Sequence, residues 1–118
     1  MYGMVSPNFK IYQNKPNMGN ALAYNASKAA IIQMTKYQAV HYAKWNIRVN
    51  CISPGPFPRP GTFSDGKEWF ESELKEMNPL HKLGEPWHLK GGIALLASAL
   101  GDYITGQNIT IDGGWTIW

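Results

Sequence analysis

The amino-acid sequence predicts an α/β fold built on a parallel sheet, of which it carries only two strands. Three observations point there. A helical run without a breaker spans 21–44, two β-branched segments lie at 47–53 and 107–112, and the stretch between those segments holds two further helical patterns. Parallel strands need a crossover of a dozen or more residues, usually helical, and residues 54–106 supply it. Proteins of this class bury both faces of such a pair under further strands and helices. The sequence is accordingly expected to be part of a larger sheet rather than a complete core.

Residues 1–20 carry Gly3, Pro7, Pro16 and Gly19 among several asparagines and read as a long irregular segment. Between 21 and 44, Ala26, Ala29, Ala30, Met34, Tyr37 and Val40 recur at spacings of three and four. Ile31, Ile32, Ala39 and Tyr42 widen that apolar surface, so the helix needs cover on two sides, from a sheet and from another subunit. Asn46 is the expected stop. Residues 47–53 then read as a strand ended by Pro54-Gly55, and the prolines and glycines of 54–66 allow little but loop. Ser64 or Asp65 is the expected cap of a helix over 67–77, with Trp69, Phe70 and Leu74 on its apolar side. A last helix is expected over 87–100, its apolar run 93–100 buried. Residues 107–112 alternate as a strand, and Gly113-Gly114 ends it.

Composition argues against several function classes. The chain has 118 residues, the length of one small domain, and a 44% hydrophobic share that separates it from disordered chains. Its net charge of +3 is spread along the sequence, whereas a nucleic-acid binder concentrates basic residues on one face. His41, His81 and His88 lack metal-ligand spacing, so no metal site is expected. No apolar run approaches the roughly 20 residues of a membrane span. The single cysteine, Cys51, sits in an apolar stretch as core filler, and the absence of disulfide pairs and of a leader-like start leads us to expect a cytoplasmic protein.

One pair of residues suggests chemistry. Tyr24 and Lys28 lie four apart, on one face of the long helix. In a chain with six tyrosines such a spacing arises readily by chance, and a tyrosine packed on a lysine stem is a common surface arrangement. The chemical alternative is specific. A phenol ionises near pKa 10, and an ammonium one helical turn away favours the phenolate and lowers that value. The tyrosine could then exchange a proton with an alcohol or carbonyl oxygen while hydride moves elsewhere.

The wider pattern favours the chemical reading. Tyr24-Asn25-Ala26-Ser27-Lys28, then Arg48-Val49-Asn50-Cys51-Ile52-Ser53-Pro54-Gly55, then Tyr103-Ile104-Thr105-Gly106-Gln107 and Ile111-Asp112-Gly113-Gly114, resemble the short-chain dehydrogenase/reductase family in order and spacing along nearly the whole chain. The resemblance implies the C-terminal part of a Rossmann-type doubly wound parallel sheet, without its N-terminal cofactor-binding half. It divides the chain into a loop (1–20), a catalytic helix (21–45), a substrate-lid region (54–80) and a last strand (107–114). It further implies an NAD(P)-dependent oxidoreductase interconverting an alcohol and a carbonyl. Tyr24 would be the acid/base, and Lys28 would bind the nicotinamide ribose and lower the phenol's pKa. Pro54 and Gly55 would end the strand against the nicotinamide, and the Phe57 backbone would meet its carboxamide.

Departures from the family pattern are equally legible. Arg59 stands where the family often has a cofactor-binding threonine, and Thr62 is out of register. The family's catalytic serine would fall just before Met1, and neither Ser6 nor Ser27 is suitably placed to replace it. The Gly-rich pyrophosphate turn has no counterpart, and the selector between NAD and NADP would lie upstream. Pro54-Gly55-Pro56-Phe57-Pro58 and Asp112-Gly113-Gly114-Trp115 resemble the sugar-acid and polyol dehydrogenase branch more than the 3-oxoacyl-carrier-protein reductases. The expected partners are a small alcohol or carbonyl substrate and further copies of the chain, as a dimer or tetramer. The rival expectation is an inactive truncated chain that serves only as an oligomerisation module.

Overall fold

The structure is a computed structural model that describes residues 1–12, 19–64 and 66–118. Helix α1 (Leu22–Tyr42) begins after Ala21, whose extended backbone leads the chain in without a side-chain cap. Asn25 Nδ2 and Ser27 Oγ donate back to the Ala21 and Tyr24 carbonyls, at 3.0 and 2.7 Å. The helix tightens into a 3-10 turn over Ala43–Trp45 and stops at Asn46, which is left-handed at φ 57°. Asparagine tolerates that conformation better than most residues, which is why the stop falls where the sequence places it.

Strands β1 (Cys51–Pro54) and β2 (Asn108–Ile111) pair in parallel, with Cys51 opposite Asn108 and Pro54 opposite Ile111. Both are shorter than expected. Over 47–50 the regular ladder gives way to side-chain bridges: the Val49 N–H donates to Thr105 Oγ1, while Asn50 donates to the Ile104 carbonyl and accepts from the Gln107 N–H. Partners across a pair share a face, so Ile52, Pro54, Ile109 and Ile111 form an apolar side and Cys51, Ser53, Asn108 and Thr110 a polar one. On the polar side Asn108 Oδ1 accepts from Ser53 Oγ at 2.7 Å and from Cys51 Sγ. Cys51 is thus only half-buried and hydrogen-bonded, not apolar filler.

Helix α2 (Glu68–Glu76) lies close to its expected bounds, but its cap differs. Ser64 Oγ donates to the Gly61 carbonyl, Lys67 occupies the cap position without a side-chain bond, and Asp65 lies outside the described residues. The helix expected over 87–100 is broken in three: a 3-10 turn Pro86–Leu89, helix α3 (Lys90–Ala97) and a 3-10 turn Ala99–Gly101, with Ser98 extended between the last two. Glu85 and His88 form a capping box across the first turn. At the far end the Arg48 guanidinium donates to the Leu96, Ser98 and Ile104 carbonyls, at 2.8, 3.4 and 3.2 Å. A side chain from β1's approach thereby satisfies the carbonyls that a continuous helix would have paired. Gly92 presses α3 onto the apolar side of the sheet, where a Cβ would come 2.6 Å from Ile111 Cδ1.

The core is small. Ile11, Tyr12, Leu74 and Trp115 are buried together, with Phe63, Phe70, Met77 and Leu83 packed around them. Ile11 and Tyr12 arrive on a 3-10 turn, Phe9–Tyr12, inside the segment read as irregular. Elsewhere apolar side chains stay in solvent: Ile31, Met34, Tyr37 and Val40 along α1, and Ile93 and Leu100 in the run expected to be buried. Nothing among the described residues covers them. The radius of gyration is 16.3 Å, whereas a compact domain of this length has roughly 13.5 Å.

Candidate active site

Tyr24 and Lys28 occupy the first two turns of α1 and meet as the spacing requires, with Lys28 Nζ 5.3 Å from the centre of the Tyr24 ring. Tyr24 is 46% exposed, so its phenol can be reached from solvent. The Lys28 ammonium has no carboxylate partner among the described residues, which leaves its donors free for sugar hydroxyls. Ser27 cannot serve the site, because its hydroxyl is spent on the Tyr24 carbonyl; Ser6 Oγ likewise donates to the Pro7 carbonyl.

Residues 1–3 join this helix to the end of β1. The Met1 nitrogen donates to the Pro54 carbonyl at 3.0 Å, and Gly3 lies so close to α1 that a Cβ would stand 2.5 Å from the Lys28 carbonyl carbon. Only glycine allows that approach. Pro54 and Lys28 are therefore bridged by three residues. Gly55 is fixed from the other side: its N–H donates to the Ile111 carbonyl, and a Cβ would lie 2.6 Å from Asp112 Cα. The Phe57 ring lies against Gly84, whose N–H donates to the Pro56 carbonyl at 2.8 Å. Tyr24, Lys28, Pro54 and Gly55 thus belong to one connected region, whereas the Phe57 side chain is engaged by the 82–85 segment.

Two residues at this end of the molecule, Tyr2 and Asn78, and the structural role of a third, Asp112, escaped sequence reasoning. Tyr2 lies near Tyr24, and its phenol is held well above the ordinary tyrosine range, by burial most of all, then by its bond to Tyr12 and by the charges of Tyr12 and Tyr24. An aromatic in an irregular segment carries no periodicity that could have found it. Asn78 is fully buried and clasps the end of β2: its Nδ2 donates to the Asp112 carbonyl, and its Oδ1 accepts from the Leu80 N–H, both at 2.9 Å. The Asp112 carboxylate accepts from the Gly114 and Thr116 N–H groups and from Thr116 Oγ1. Aspartate before two glycines is a turn signal that could have revealed that role.

Comparison with known proteins bears on the family and the fold. A protein-family model described as enoyl-(acyl carrier protein) reductase matches residues 8–116. A short-chain dehydrogenase from Leptospira borgpetersenii, solved with bound NAD+, superposes with a TM-score of 0.84 at 40% identity, over 98% of this chain and 41% of its own. The 7alpha-hydroxysteroid dehydrogenase of Bacteroides fragilis is 41% identical over 83% of this chain and 38% of its own. The galactitol 2-dehydrogenase (L-tagatose-forming) of Cereibacter sphaeroides is 36% identical over 89% and 41%. The chain thus spans about two fifths of the length of these relatives and corresponds to the C-terminal part of their fold, the fold class expected from sequence. Among the described residues no helix is long and apolar enough to cross a membrane.

Proposed function

This chain belongs to the short-chain dehydrogenase/reductase family, and on that premise we propose that it carries the proton-transfer centre of an NAD(P)-dependent oxidoreductase acting on a polyol or sugar acid. The observation that carries the reading is the solvent-reachable Tyr24 phenol with the Lys28 ammonium over its ring, an ammonium without a carboxylate partner among the described residues. A nicotinamide bound here would supply the hydride acceptor for an alcohol and the hydride donor for a carbonyl. Tyr24 Oη, as phenolate, takes the hydroxyl proton, and in reduction it returns a proton to the carbonyl oxygen. Lys28 stabilises the phenolate and offers its remaining donors to the nicotinamide ribose. Pro54 and Gly55, at the end of the strand, and the Phe57 backbone would hold the nicotinamide. The likeness to a galactitol dehydrogenase supports a polyhydroxylated substrate.

The test is a spectrophotometric assay of the full polypeptide carrying this sequence, with NAD+ or NADP+ and a panel of polyols and sugar acids. Reduced nicotinamide formed by the parent and abolished in Tyr24→Phe supports the reading. A second reading has its own observation: the apolar stripe Ile31, Met34, Tyr37 and Val40 lies bare along α1, as in a chain that acts by pairing with other copies. Stable self-association without nicotinamide turnover would favour it.

A further inference from the structure

We propose that the groove beneath the 58–64 loop is an anion seat in which Arg59 and Lys82 hold the carboxylate of a hydroxy-acid substrate; this rests on the oxidoreductase reading and selects the acid over the neutral polyol. The groove has a volume of about 750 Å3 and is walled by apolar faces, Phe63 and Trp87 among them, together with several charged side chains. The charges divide unequally. Glu71 pairs with Lys75 at 2.6 Å, while the Glu85 carboxylate keeps its charge and accepts the His88 backbone N–H in the capping box, so Arg59 and Lys82 together leave the wall net positive. Arg59 and Lys82 have no side-chain hydrogen bond or ion pair among the described residues.

Local structure brings these two cations to one opening. The bond from the Gly84 N–H to the Pro56 carbonyl ties the segment after β1 to the 82–85 segment. The Arg59 carbonyl then accepts the Thr62 N–H at 3.0 Å, a turn that Gly61 closes at φ 80°. A guanidinium presents a planar fork that matches a carboxylate, and an ammonium adds a point charge from a second side. Arg59 follows Phe57 by two residues, so an anion held there lies beside the strand end assigned to the nicotinamide. A cofactor phosphate offers the same chemistry, and the experiment separates the two sources.

Arg59→Gln, Lys82→Gln and the double variant would be compared with the parent on gluconate and on sorbitol, which share a six-carbon polyol skeleton and differ in the carboxylate. Cofactor affinity would be read separately by nicotinamide fluorescence. The expected result is a loss in kcat/KM for gluconate on the order of tenfold to a hundredfold, carried by KM. Sorbitol should change less than threefold, and cofactor affinity should be unchanged. Equal losses on both substrates with weakened cofactor binding would place a cofactor phosphate in the seat and overturn the assignment, as would unchanged gluconate kinetics. If the parent turns over no member of the polyol and sugar-acid panel, the oxidoreductase reading fails instead. Direct titration with gluconate, followed by Trp fluorescence, then decides the seat alone: saturable quenching lost in the double variant supports it, and no quenching overturns it.

Discussion

Tyr24→Phe deletes one hydroxyl and keeps the ring that Lys28 covers. In the full polypeptide it should lower turnover on the order of a hundredfold or more while leaving cofactor affinity nearly intact. Turnover within about threefold of the parent would make Tyr24 structural. Tyr2 supports a different prediction, about pH. Burial favours its neutral form, so its folded pKa lies above the unfolded one. The stability this phenol contributes is therefore complete below about pH 10 and falls as pH rises further. Tyr2→Phe should flatten the alkaline decline in unfolding midpoint above pH 10, and a decline as steep as the parent's would exclude Tyr2 as its source. The difference in legibility between these tyrosines is physical. Tyr24 and Lys28 meet through helix geometry alone, while Tyr2 meets Tyr24 only because Gly3 allows a backbone to lie against α1.

At the scale of elements, the break after α3 depends on Arg48. Its guanidinium serves three carbonyls from two segments, a reach that one ammonium cannot reproduce. Arg48→Lys should destabilise the full polypeptide by about 1–3 kcal/mol in denaturant unfolding, and a midpoint shift within error would mean that water replaces the clamp at no cost. Helix α1 leads to a prediction about assembly. Ile31, Met34, Tyr37 and Val40 are 44%, 55%, 70% and 81% exposed, and contiguous apolar surface of this kind marks an interface. Light scattering at micromolar concentration should give a dimer or tetramer, whereas a monomer would show the stripe to be idle. The sequence foresaw α1 and its end because apolar spacing and an asparagine stop are local signals. It overran both strands and joined three short pieces into one helix, since Arg48 and Asn50 replace regular backbone bonds from more than forty positions away.

The molecule as a whole buries few apolar side chains for its length. Among the described residues its hydrophobic core is a cluster of Ile11, Tyr12, Leu74 and Trp115, and its sheet has two strands. Ile117 and Trp118 remain 82% and 74% exposed at the end of the chain. The 118 residues by themselves should therefore unfold without a sharp calorimetric transition and bind NAD(P)H only weakly. Nicotinamide-side contacts alone would be present, and the pyrophosphate seat of this fold lies on a helix N-terminus after the first strand. A single sharp transition together with micromolar NAD(P)H affinity would overturn that expectation.

Periodicity, turn chemistry and motif order determined the α/β class, the order of elements, the Tyr24–Lys28 pair and the shortage of sheet, because each depends on residues near one another in the chain. Tertiary structure decided the rest: where the strands end, how the last helix breaks, and how Asn78 clasps Asp112. It also decided that Tyr2 stands beside Tyr24 and that Arg59 and Lys82 open onto one groove. Those outcomes turn on hydrogen bonds, burial and backbone approach between distant segments, and no local pattern in a chain encodes which distant segment will come to lie against it.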